Sequence, residues 1–509
     1  MKNILLTGAT GSMGSKALNA LLKDEGNVVT VLVLPTEKDK KLIEPYAGNE
    51  RVHVKLGDLV NPADVEACVK GTDVVLHLGA LISPDGDYFP EKEMHINYGG
   101  TLNVISAIKK QPNRDSIKLV WVGTVAQTGD RMPPIHWGRV GDPIAPSVHD
   151  YYAVSKVASE RAVVESGLKY WVCLRQTGII APKMTTVEDG IMFHNCLDNV
   201  LEYVSDNDSG VLLGNICKDL PEEFWNHIYN IGGGESCRTS CYQMFEHMFG
   251  LLGIKKLEYI IDANWFATRN FHGQYYLDSQ KLEDLLHFRS QNLDYFYKLF
   301  IESLGANATV VKGMTKMPGG QKLIGSKMKE RFEKIANSEH GTMNYIKNNI
   351  TERIDPFFIS KEEWSKIPPS INDFKPFTDW DKVVPIDHGY DESKPQSALT
   401  IEDVKGAATF RGGECLADTM TTGDMATKLS WKCAFGHTFE ASPKLILEGG
   451  HWCSECEDQS WNYHEVAKVS PFFAQVWYPL HRKDEPSREY KKLFSARDVE
   501  AKLTESLLV

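Results

Sequence analysis

Long apolar runs are missing from this sequence. A membrane-spanning helix needs about 18 consecutive apolar residues, and no stretch of the chain approaches that length. The first apolar stretch, Ile4–Leu6, is too short for the core of a signal peptide and leads straight into a glycine loop. We therefore expect a cytoplasmic protein without a membrane partner.

An excess of positive charge is also missing. The chain has 56 lysines and arginines against 68 aspartates and glutamates, so its formal net charge is −12. A general nucleic-acid binder needs positive surface to displace counterions from phosphates. We therefore do not expect a nucleic-acid partner, unless the folded chain forms a local basic patch. In a cytoplasmic chain the 10 cysteines are expected to be thiols or metal ligands, not disulfides.

Internal repeats and low-complexity tracts are absent too. A chain of 509 residues is too long for one core, and this length predicts about two to four domains. Short apolar runs alternate with amphipathic stretches in the N-terminal part, the pattern of an α/β fold with a doubly wound parallel sheet. The predicted strands are Ile4–Leu6, Val28–Leu34, Val52–Leu56, Val74–Leu78, Leu119–Val122, Trp171–Leu174 and a late strand, His227–Ile231.

A glycine-rich loop, Thr7-Gly-Ala-Thr-Gly-Ser-Met-Gly14, lies between the first strand and the first helix. Glycine lets the backbone turn tightly and approach a pyrophosphate, and the following helix points its free N–H groups at the anion. The alternative is a tight turn without a ligand. The position of the loop favours a dinucleotide, bound by Gly8, Thr10, Gly11, Ser12, Met13 and Gly14.

Residues after the third and fourth strands extend this predicted cofactor site. The carboxylate of Asp58 can accept a hydrogen bond from an adenine amine, or it can cap the following helix. The fourth strand ends in small residues beside the cofactor. The residues added to the site are Asp58, Leu59, Leu78, Gly79 and Ala80.

The end of the second strand bears on the choice between NAD and NADP. An acidic residue there would bind the ribose 2′-hydroxyl of NAD, and the segment Val33-Leu-Pro-Thr36 has none. Thr36 and the nearby lysines could meet a 2′-phosphate or form a solvated loop. The sequence slightly favours NADP, and the lysines concerned are Lys38, Lys40 and Lys41.

Tyr152 and Lys156 are four residues apart, which places them on one face of a helix. A tyrosine titrates near about pH 10, and a nearby ammonium lowers that value; Lys156 can also hold the nicotinamide ribose. Thr124, at the end of the fifth strand, can hydrogen-bond a substrate oxygen. Asn97, in the preceding helix, either holds a water of a proton relay or bonds the backbone. This set predicts proton transfer coupled to hydride transfer by the cofactor.

The loop Met132–Pro143 is expected over the substrate, between the catalytic threonine and tyrosine. Trp137 could stack on a ring and Arg139 could bind a carboxylate or phosphate. Alternatively, Arg139 pairs with Asp142 in a structural loop. Core positions in a second lobe are expected for His194, Trp225 and Trp265.

Two short segments, Cys433-Ala-Phe-Gly-His437 and Cys453-Ser-Glu-Cys456, have the spacing of tetrahedral zinc ligands. Four ligands leave no open position, which favours a structural role over catalysis. Cys415 is an alternative ligand that is better explained as a buried thiol. Cys237 and Cys241 have no partner pair nearby and are expected to be structural.

Residues 1 to about 300 resemble an extended short-chain dehydrogenase/reductase, the group that includes nucleotide-sugar epimerases and 3β-hydroxysteroid dehydrogenases. The resemblance implies a Rossmann fold with Tyr152 as the acid/base, Lys156 tuning it, Thr124 polarising the substrate oxygen and Asn97 completing the set. The motifs that carry it are the glycine loop, Gly57-Asp-Leu59, His77-Leu-Gly-Ala80, Asn97 with Gly100-Thr101, Thr124, Tyr152/Lys156, Leu174-Arg175 and Tyr229-Asn-Ile-Gly-Gly233.

From about residue 183 we expect a second lobe over the carboxyl edge of the sheet, where α/β folds place their ligands. Within it and beyond, the pattern predicts helices at Ile191–Val204, Tyr242–Leu252 and 326–365, a flexible loop at 306–325 and irregular chain at 366–400. The expected division is an extended domain over 1–305 (Rossmann core about 1–182, late strand 227–231, substrate lobe about 183–305), a linker or helical extension over 306–405, a zinc-ribbon-like module over 406–460 and a tail over 461–509.

The resemblance implies an NAD(P)-dependent oxidoreductase that moves a hydride to or from a secondary alcohol or ketone of a small-molecule substrate. A nucleotide-sugar epimerase, which uses the same residues, is the alternative. A cofactor-binding sensor is a third hypothesis. The intact Tyr152/Lys156 pair disfavours it, because a sensor has no need of an acid/base. Val125-Ala126 stand where a 4,6-dehydratase would carry Asp-Glu, so that reaction is not expected. A homodimer is compatible with the sequence.

Overall fold

The computed structural model describes residues 1–186 and 188–507. Its strands are β1 (Lys2–Thr7), β2 (Asn27–Val33), β3 (Val52–Leu56), β4 (Val74–His77), β5 (Lys118–Thr124), β6 (Trp137–Gly138), β7 (Tyr170–Gln176), β8 (Ile179–Ile180), β9 (Val200–Glu202), β10 (Val204–Ser205), β11 (His227–Ile231), β12 (Arg238–Ser240), β13 (Tyr275–Tyr276), β14 (Glu414–Cys415), β15 (Leu429–Lys432), β16 (Thr438–Ala441), β17 (Ser460–Trp461) and β18 (Tyr490–Lys491).

Helices connect and cover these strands. They are α1 (Ser12–Leu21), α2 (Glu37–Ile43), α3 (Pro62–Val69), α4 (Asp85–Tyr88), α5 (Pro90–Met94), α6 (Gly100–Lys109), α7 (Tyr151–Val164), α8 (Asp206–Ile216), α9 (Cys241–Leu251), α10 (Gln280–Leu286), α11 (Leu293–Leu304), α12 (Ala306–Thr315), α13 (Gly320–Ala336), α14 (Thr342–Asn348), α15 (Thr351–Phe358), α16 (Lys361–Ser365), α17 (Ile401–Phe410), α18 (Ser454–Gln459), α19 (Tyr463–Val469), α20 (Pro471–Trp477) and α21 (Ala496–Leu507).

Seven strands form one parallel sheet in the order β11-β7-β5-β4-β1-β2-β3. The order reverses between β1 and β4, and such a reversal opens a crevice at the carboxyl ends of the strands. Ile4, Leu5 and Leu6 of β1 are all buried, because a central parallel strand is covered on both faces. The predicted α/β class and the seven predicted strands are confirmed.

One buried cluster of apolar side chains covers each face of the sheet. On the first face, α1 and α8 supply Leu18 and Leu212. On the second face, the cluster beneath α3, α6 and α7 continues without a break into the C-terminal region through Ala407, Trp431 and Leu445. The C-terminal region is therefore part of the core that supports the sheet.

The second lobe has a core of its own. Its buried side chains come from the segment around Phe193, from α9 (Phe249) and from the extension, where α11 supplies Phe300 and α13 supplies Ile324. The extension from α11 onward thus packs on the lobe and completes it. Among the described helices, none combines the length and apolar composition that a membrane crossing requires.

Two of the local predictions are wrong. Ile191–Val204 is not a helix but a short 3-10 turn at Gly190–Phe193 followed by β9 and β10. β9 pairs with β12 and β10 with β8, and such pairing overrides local helix preference. The loop predicted over 306–325 is the helical hairpin of α12 and α13, because buried Ala308 and Ile324 anchor it against the lobe. The helix α9 and the helical segment 326–365 are confirmed, and 366–400 is irregular apart from short 3-10 turns.

Candidate active site and metal centre

The glycine loop lies at the carboxyl end of β1, beside the reversal in strand order. Gly8 has φ +76°, and a side chain there would come within 2.9 Å of the backbone nitrogen of Gly79. A Cβ at Gly14 would lie 2.0 Å from the Gly8 carbonyl oxygen, so only glycine fits. Gly11 and Ser12 are exposed, and α1 begins without a side-chain cap. The first amides of α1 can therefore receive an anion from solvent.

An acidic residue that the sequence analysis missed lies against this loop. Asp39, in the first turn of α2, accepts hydrogen bonds from Thr10 Oγ1 (2.8 Å) and Thr36 Oγ1 (2.6 Å). An acid that binds ribose is expected at the end of β2, whereas Asp39 lies beyond that strand, in α2, and contacts the loop through Thr10. Met13, in the first turn of α1, is buried.

Asp58 does not cap α3. Its carboxylate accepts from the Val60 N–H (3.1 Å), while Asn61 supplies the cap. The helix-cap alternative for Asp58 is therefore wrong. Leu59 lies against Gly79, where a Cβ would come within 2.6 Å of the Leu59 side chain.

The carboxyl ends of β1 and β4 are joined by a short chain of hydrogen bonds. Thr7 Oγ1 accepts from the N–H groups of Leu78 (3.1 Å) and Gly79 (2.9 Å) and contacts His77 Nδ1 (2.9 Å). Burial and, secondarily, Lys156 lower the pKa of His77 to about 3, so this imidazole is neutral. Leu78, Gly79 and Ala80 follow β4 and are partly exposed at the crevice.

Tyr152 and Lys156 lie in the first two turns of α7, which begins after the side-chain cap of Asp150. Tyr152 is partly exposed, whereas Lys156 is buried. The Lys156 Nζ donates to the Val122 carbonyl (2.8 Å) and lies 5.9 Å from the centre of the Tyr152 ring. The two residues share one side of the helix, toward β5.

The expected lowering of the Tyr152 pKa does not occur in this arrangement. Burial raises the pKa of the Tyr152 phenol, Glu93 raises it further, and only the hydrogen bond with Thr124 acts in the opposite direction. Burial also lowers the pKa of Lys156 to about 8, which weakens the ammonium as a stabiliser of phenolate. At neutral pH Tyr152 is therefore protonated and can act as a proton donor.

Thr124 ends β5 near Tyr152, and its hydroxyl acts to lower the pKa of that phenol. Its hydroxyl also accepts from the Ala126 N–H (3.2 Å), and the Gln127 side chain accepts from the Thr124 N–H (2.9 Å). This capping box fixes the hydroxyl at the strand end. The pair Thr124 and Tyr152 is brought together as predicted.

Both amide hydrogens of Asn97 are used within the protein, so its side chain could bind a relay water only through the second lone pair of Oδ1. Its Oδ1 accepts from the Leu81 N–H (2.8 Å), and its Nδ2 donates to the Leu81 carbonyl (2.9 Å) and to Ser155 Oγ (2.9 Å). Asn97 lies in a π-helical turn, His95–Gly99, between α5 and α6. It thus joins α7 to the segment after β4, which is the backbone-bonding alternative considered above.

Glu93, one turn before Asn97, is an acidic residue of the site that the sequence did not single out. Its side chain is 0% exposed, its Oε1 lies 3.5 Å from Asn97 Nδ2, and its Oε2 has no hydrogen-bond partner in the described chain. Burial first, then Asp87 and Asp150, raise the pKa of Glu93 to about 10. The local sequence does not distinguish Glu93 from Glu91, which is exposed.

Asp87 connects this buried acid to the catalytic helix. It accepts from the Tyr152 N–H (3.1 Å) and from Ser83 Oγ (2.6 Å). Burial and the neighbouring Asp150 raise the pKa of Asp87 to about 7. The site therefore contains two carboxyl groups with raised pKa values, of which Glu93 keeps its proton at neutral pH.

The loop Met132–Pro143 does not carry free groups toward a substrate. Trp137 Nε1 donates to the Trp380 carbonyl (2.8 Å), Arg139 pairs with Glu392 (2.7 Å), and the Arg139 N–H donates to Asp142 (3.1 Å). The expectation that this loop covers the substrate is wrong, because the segment around Trp380–Glu392 covers the loop. Of the three predicted core residues of the second lobe, Trp265 is buried in the core of the lobe. Trp225 is buried in the cluster on the sheet, and His194 is half-buried against Phe357 and the His340 carbonyl.

The four predicted metal ligands converge at one point. Cys433 Sγ, His437 Nδ1, Cys453 Sγ and Cys456 Sγ all lie within 4.8 Å of one another. The Cys433–Cys456 sulfur distance is 3.8 Å, and His437 Nδ1 lies 3.5, 3.7 and 3.3 Å from the sulfurs of Cys433, Cys453 and Cys456. A tetrahedron around Zn²⁺ has S···S edges of about 3.8 Å and S···N edges of about 3.5 Å. The donor set and its spacing therefore fit zinc.

The first pair of ligands lies on the turn between β15 and β16, where Gly436 has φ +86°. The second pair lies at the start of α18. Cys415 is buried in the core beneath this module and is not part of the cluster. Cys237 and Cys241 lie in two different apolar clusters, in agreement with a structural role.

Comparison with known proteins bears on the N-terminal part. Residues 4–214 match the family model described as the NAD dependent epimerase/dehydratase family. The chain is 29% identical over 186 residues to 3 beta-hydroxysteroid dehydrogenase type 7 of Mus musculus, and the aligned region covers 34% of this chain and 49% of that protein. It is 32% identical over 152 residues to UDP-glucuronic acid decarboxylase 1 of Danio rerio, and the aligned region covers 28% of this chain and 33% of that protein. The chain thus spans about half or less of the length of these curated relatives.

Among solved structures, dTDP-glucose 4,6-dehydratase of Bacillus anthracis in complex with NAD superposes with a TM-score of 0.47 and 17% identity, over 61% of this chain and 100% of that chain. The strand order described above has the Rossmann topology. The match of residues 4–214 to the NAD dependent epimerase/dehydratase family model falls on the part of the chain that forms most of this sheet.

Proposed function

We propose that this protein is an NAD-dependent oxidoreductase that acts on a secondary alcohol or ketone of a small molecule. The observation that carries this proposal is the group formed by Tyr152, Thr124 and Lys156 at the carboxyl end of the sheet, beside the glycine loop. A protonated phenol held by a fixed hydroxyl suits proton transfer to and from a substrate oxygen.

The cofactor would lie across the carboxyl ends of β1 and β4. The Ser12 amide at the start of α1 would receive the pyrophosphate, whereas the Gly11 N–H already donates to the Gly8 carbonyl (3.0 Å), and Asp39 would accept from the adenosine ribose. Because a carboxylate repels a 2′-phosphate, Asp39 favours NAD over NADP, in contrast to the slight preference drawn from the sequence. Lys38, Lys40 and Lys41 are exposed around this position. The bound cofactor supplies the hydride.

Tyr152 would give its proton to the substrate oxygen during reduction and take it back during oxidation. Thr124 orients the phenol and shares the substrate oxygen, whereas Lys156 is positioned by the Val122 carbonyl. Glu93 acts as a positioning residue near Tyr152: its buried carboxyl keeps its proton at neutral pH and so adds no negative charge close to the phenol.

A nucleotide-sugar epimerase is the second candidate, since the same phenol and hydroxyl serve both reactions and the family description names epimerases. The metal module has a structural role in either case. Cys433, His437, Cys453 and Cys456 would hold Zn²⁺ with no ligand position left for substrate.

The test uses the full chain. NAD⁺ and NADP⁺ binding is measured first, and then absorbance at about 340 nm is followed with hydroxysteroids and with UDP-sugars. Net NADH formation supports the oxidoreductase, whereas sugar conversion without net NADH supports the epimerase.

In the Tyr152→Phe variant turnover should fall by about 10²–10⁴ while NAD⁺ binding is retained. The adjacent Tyr151→Phe is the matched control, because the Tyr151 hydroxyl only accepts from the Leu493 N–H (2.9 Å). Turnover that survives in Tyr152→Phe would refute the proposed function.

A further inference from the structure

A cavity of about 470 Å³ lies between the metal module and the outer side of α7. α7 lines it with Val154, Val157 and Ala158. These residues are on the side of the helix opposite to Tyr152 and Lys156, so the cavity is separate from the candidate active site. Its volume is in the range of about 300–1,000 Å³ that holds small molecules.

The wall of this cavity is mostly apolar. Aromatic rings from the metal module and from α19 and α20 form much of it, together with prolines and aliphatic side chains of the segment before α7. The aromatic rings of the wall include those of Phe435, Trp452, Tyr463 and Phe472. The metal-binding residues His437, Cys453 and Cys456 also border the cavity, which therefore depends on a folded metal module.

Two of the cations on the wall have acidic partners. Arg161 pairs with Glu457, and Arg497 lies 3.4 Å from Asp458. Arg411 differs, because no carboxylate lies within ion-pair distance of it in the part of the chain that the structure describes. Lys492, which also lines the cavity, is likewise without a carboxylate at ion-pair distance among the described residues, and its ammonium donates to the Glu457 carbonyl.

Arg411 is 1% exposed. Its Nη1 donates to the carbonyls of His388 (2.9 Å) and Ala407 (3.1 Å), and its Nη2 donates to that of Ile446 (3.2 Å). Its Nε has no hydrogen-bond partner among the described residues. Burial lowers the pKa of this guanidinium to about 10.

A buried charge without a counter-ion is costly, and a bound anion would offset that cost. The Arg411 guanidinium lies 3.9 Å from the centre of the Phe472 ring, so a cation and an apolar surface meet at one end of the cavity. This combination suits a ligand with an anionic head and an apolar body.

We propose that the cavity between α7 and the metal module is a second ligand site, which takes a small amphipathic anion with its acidic group at Arg411 and its apolar body against the aromatic wall. The proposal is independent of the reaction at Tyr152. Because the ligand would contact both α7 and the residues next to the metal ligands, its binding would hold the module against the catalytic helix.

Two dyes with the same ring system test the proposal in the zinc-loaded full chain. 1-Anilinonaphthalene-8-sulfonate carries an anion, whereas N-phenyl-1-naphthylamine is uncharged. We expect one equivalent of the sulfonate to bind about ten- to a hundredfold more tightly than the neutral dye, as a charge-assisted hydrogen bond predicts. Equal affinity for the two dyes would overturn the anion site.

Variants locate the binding. Arg411→Met should abolish the preference for the sulfonate, and Ala158→Trp, which fills the cavity from α7 without removing a hydrogen bond, should abolish the binding of both dyes. Arg139→Met, which removes a partly buried arginine outside the cavity, is the matched control and should change neither. If Arg411→Met fails to fold, Ala158→Trp alone tests whether the dyes bind in the cavity. Dye binding that persists in Ala158→Trp would show that the dyes bind elsewhere and would refute the proposed site.

Discussion

His451 Nε2 lies 2.9 Å from Glu160 Oε1, and neither side chain has any exposed surface. Glu160, one turn after Lys156 on α7, also accepts from Arg175 Nε (3.0 Å) and Nη2 (2.5 Å). Burial alone would raise the pKa of Glu160, but Arg175 and His451 lower it to about 2. One buried ionic cluster therefore joins the metal module, the catalytic helix and the central sheet.

Glu160→Gln should destabilise the protein by about 3–5 kcal/mol, because it leaves Arg175 buried without its counter-charge. The free energy of unfolding is measured in urea. Glu66→Gln is the control, since Glu66 forms an exposed pair with Lys110 and its loss should cost at most about 1 kcal/mol. Equal losses in the two variants would contradict the importance given to the cluster.

Metal analysis should find one equivalent of zinc in the purified protein. Cys456→Ser should lose the metal and melt at a lower temperature, because the core beneath the module is continuous with that of the sheet. Cys415→Ala, which changes a buried thiol of the same module, should keep its zinc. Full zinc content in Cys456→Ser would show that the metal lies elsewhere.

Asp39→Asn should weaken NADH binding by about ten- to a hundredfold and raise the relative affinity for NADPH, because a charged acceptor for ribose is lost. Both affinities are measured by quenching of protein fluorescence. Glu37→Gln, in the same turn of α2 but 92% exposed, is the control. An unchanged NADH to NADPH ratio in Asp39→Asn would remove the reason for preferring NAD.

Glu93→Gln should flatten the pH dependence of thermal stability. The pKa of Glu93 rises from 4.5 to about 10 on folding, so its contribution to stability is complete below about pH 4.5 and is lost as the pH rises through 10. Glutamine mimics the protonated acid. The variant should therefore melt a few degrees above the wild type at pH 9 and equally at pH 5.

Neighbouring groups also titrate. Asp87, whose pKa is raised from 3.8 to about 7, shares the sign of Glu93 and destabilises as the pH rises towards about 7. Lys156, with a pKa lowered to about 8, has the opposite sign and stabilises increasingly as the pH rises from about 8. Both groups are present in the wild type and in the variant. Glu91→Gln, which changes the exposed glutamate of the same helix, is the control. Parallel melting curves of wild type and Glu93→Gln across this pH range would be inconsistent with a buried protonated acid.

Features set by short stretches of chain could be predicted. The strand–glycine–helix unit around Gly8 and the four-residue spacing of Tyr152 and Lys156 follow from local geometry. The ligand spacing around Cys433 and Cys453 is likewise a property of two tight turns. The helix predicted at Ile191–Val204 failed because strand pairing with a distant segment decided that conformation.

Residues whose role depends on packing could not be found in this way. Glu93 and Glu91 are equivalent in sequence, and only the docking of α5 against α7 buries the first. Asp39 lies beyond the end of β2 and reaches the glycine loop only through the turn of α2. His451 and Glu160 are 291 residues apart, a separation over which sequence carries no local signal.

By itself, then, the sequence determined the positions of the strands along the chain, the phosphate-binding turn and the donor atoms available to a metal, because neighbours along the chain impose these. Only the tertiary structure decided the order of the strands in the sheet, which acids keep their protons, which cations lack a counter-charge and which surface the metal module covers. Those properties depend on distance and burial between remote segments, and both arise only when the chain has folded.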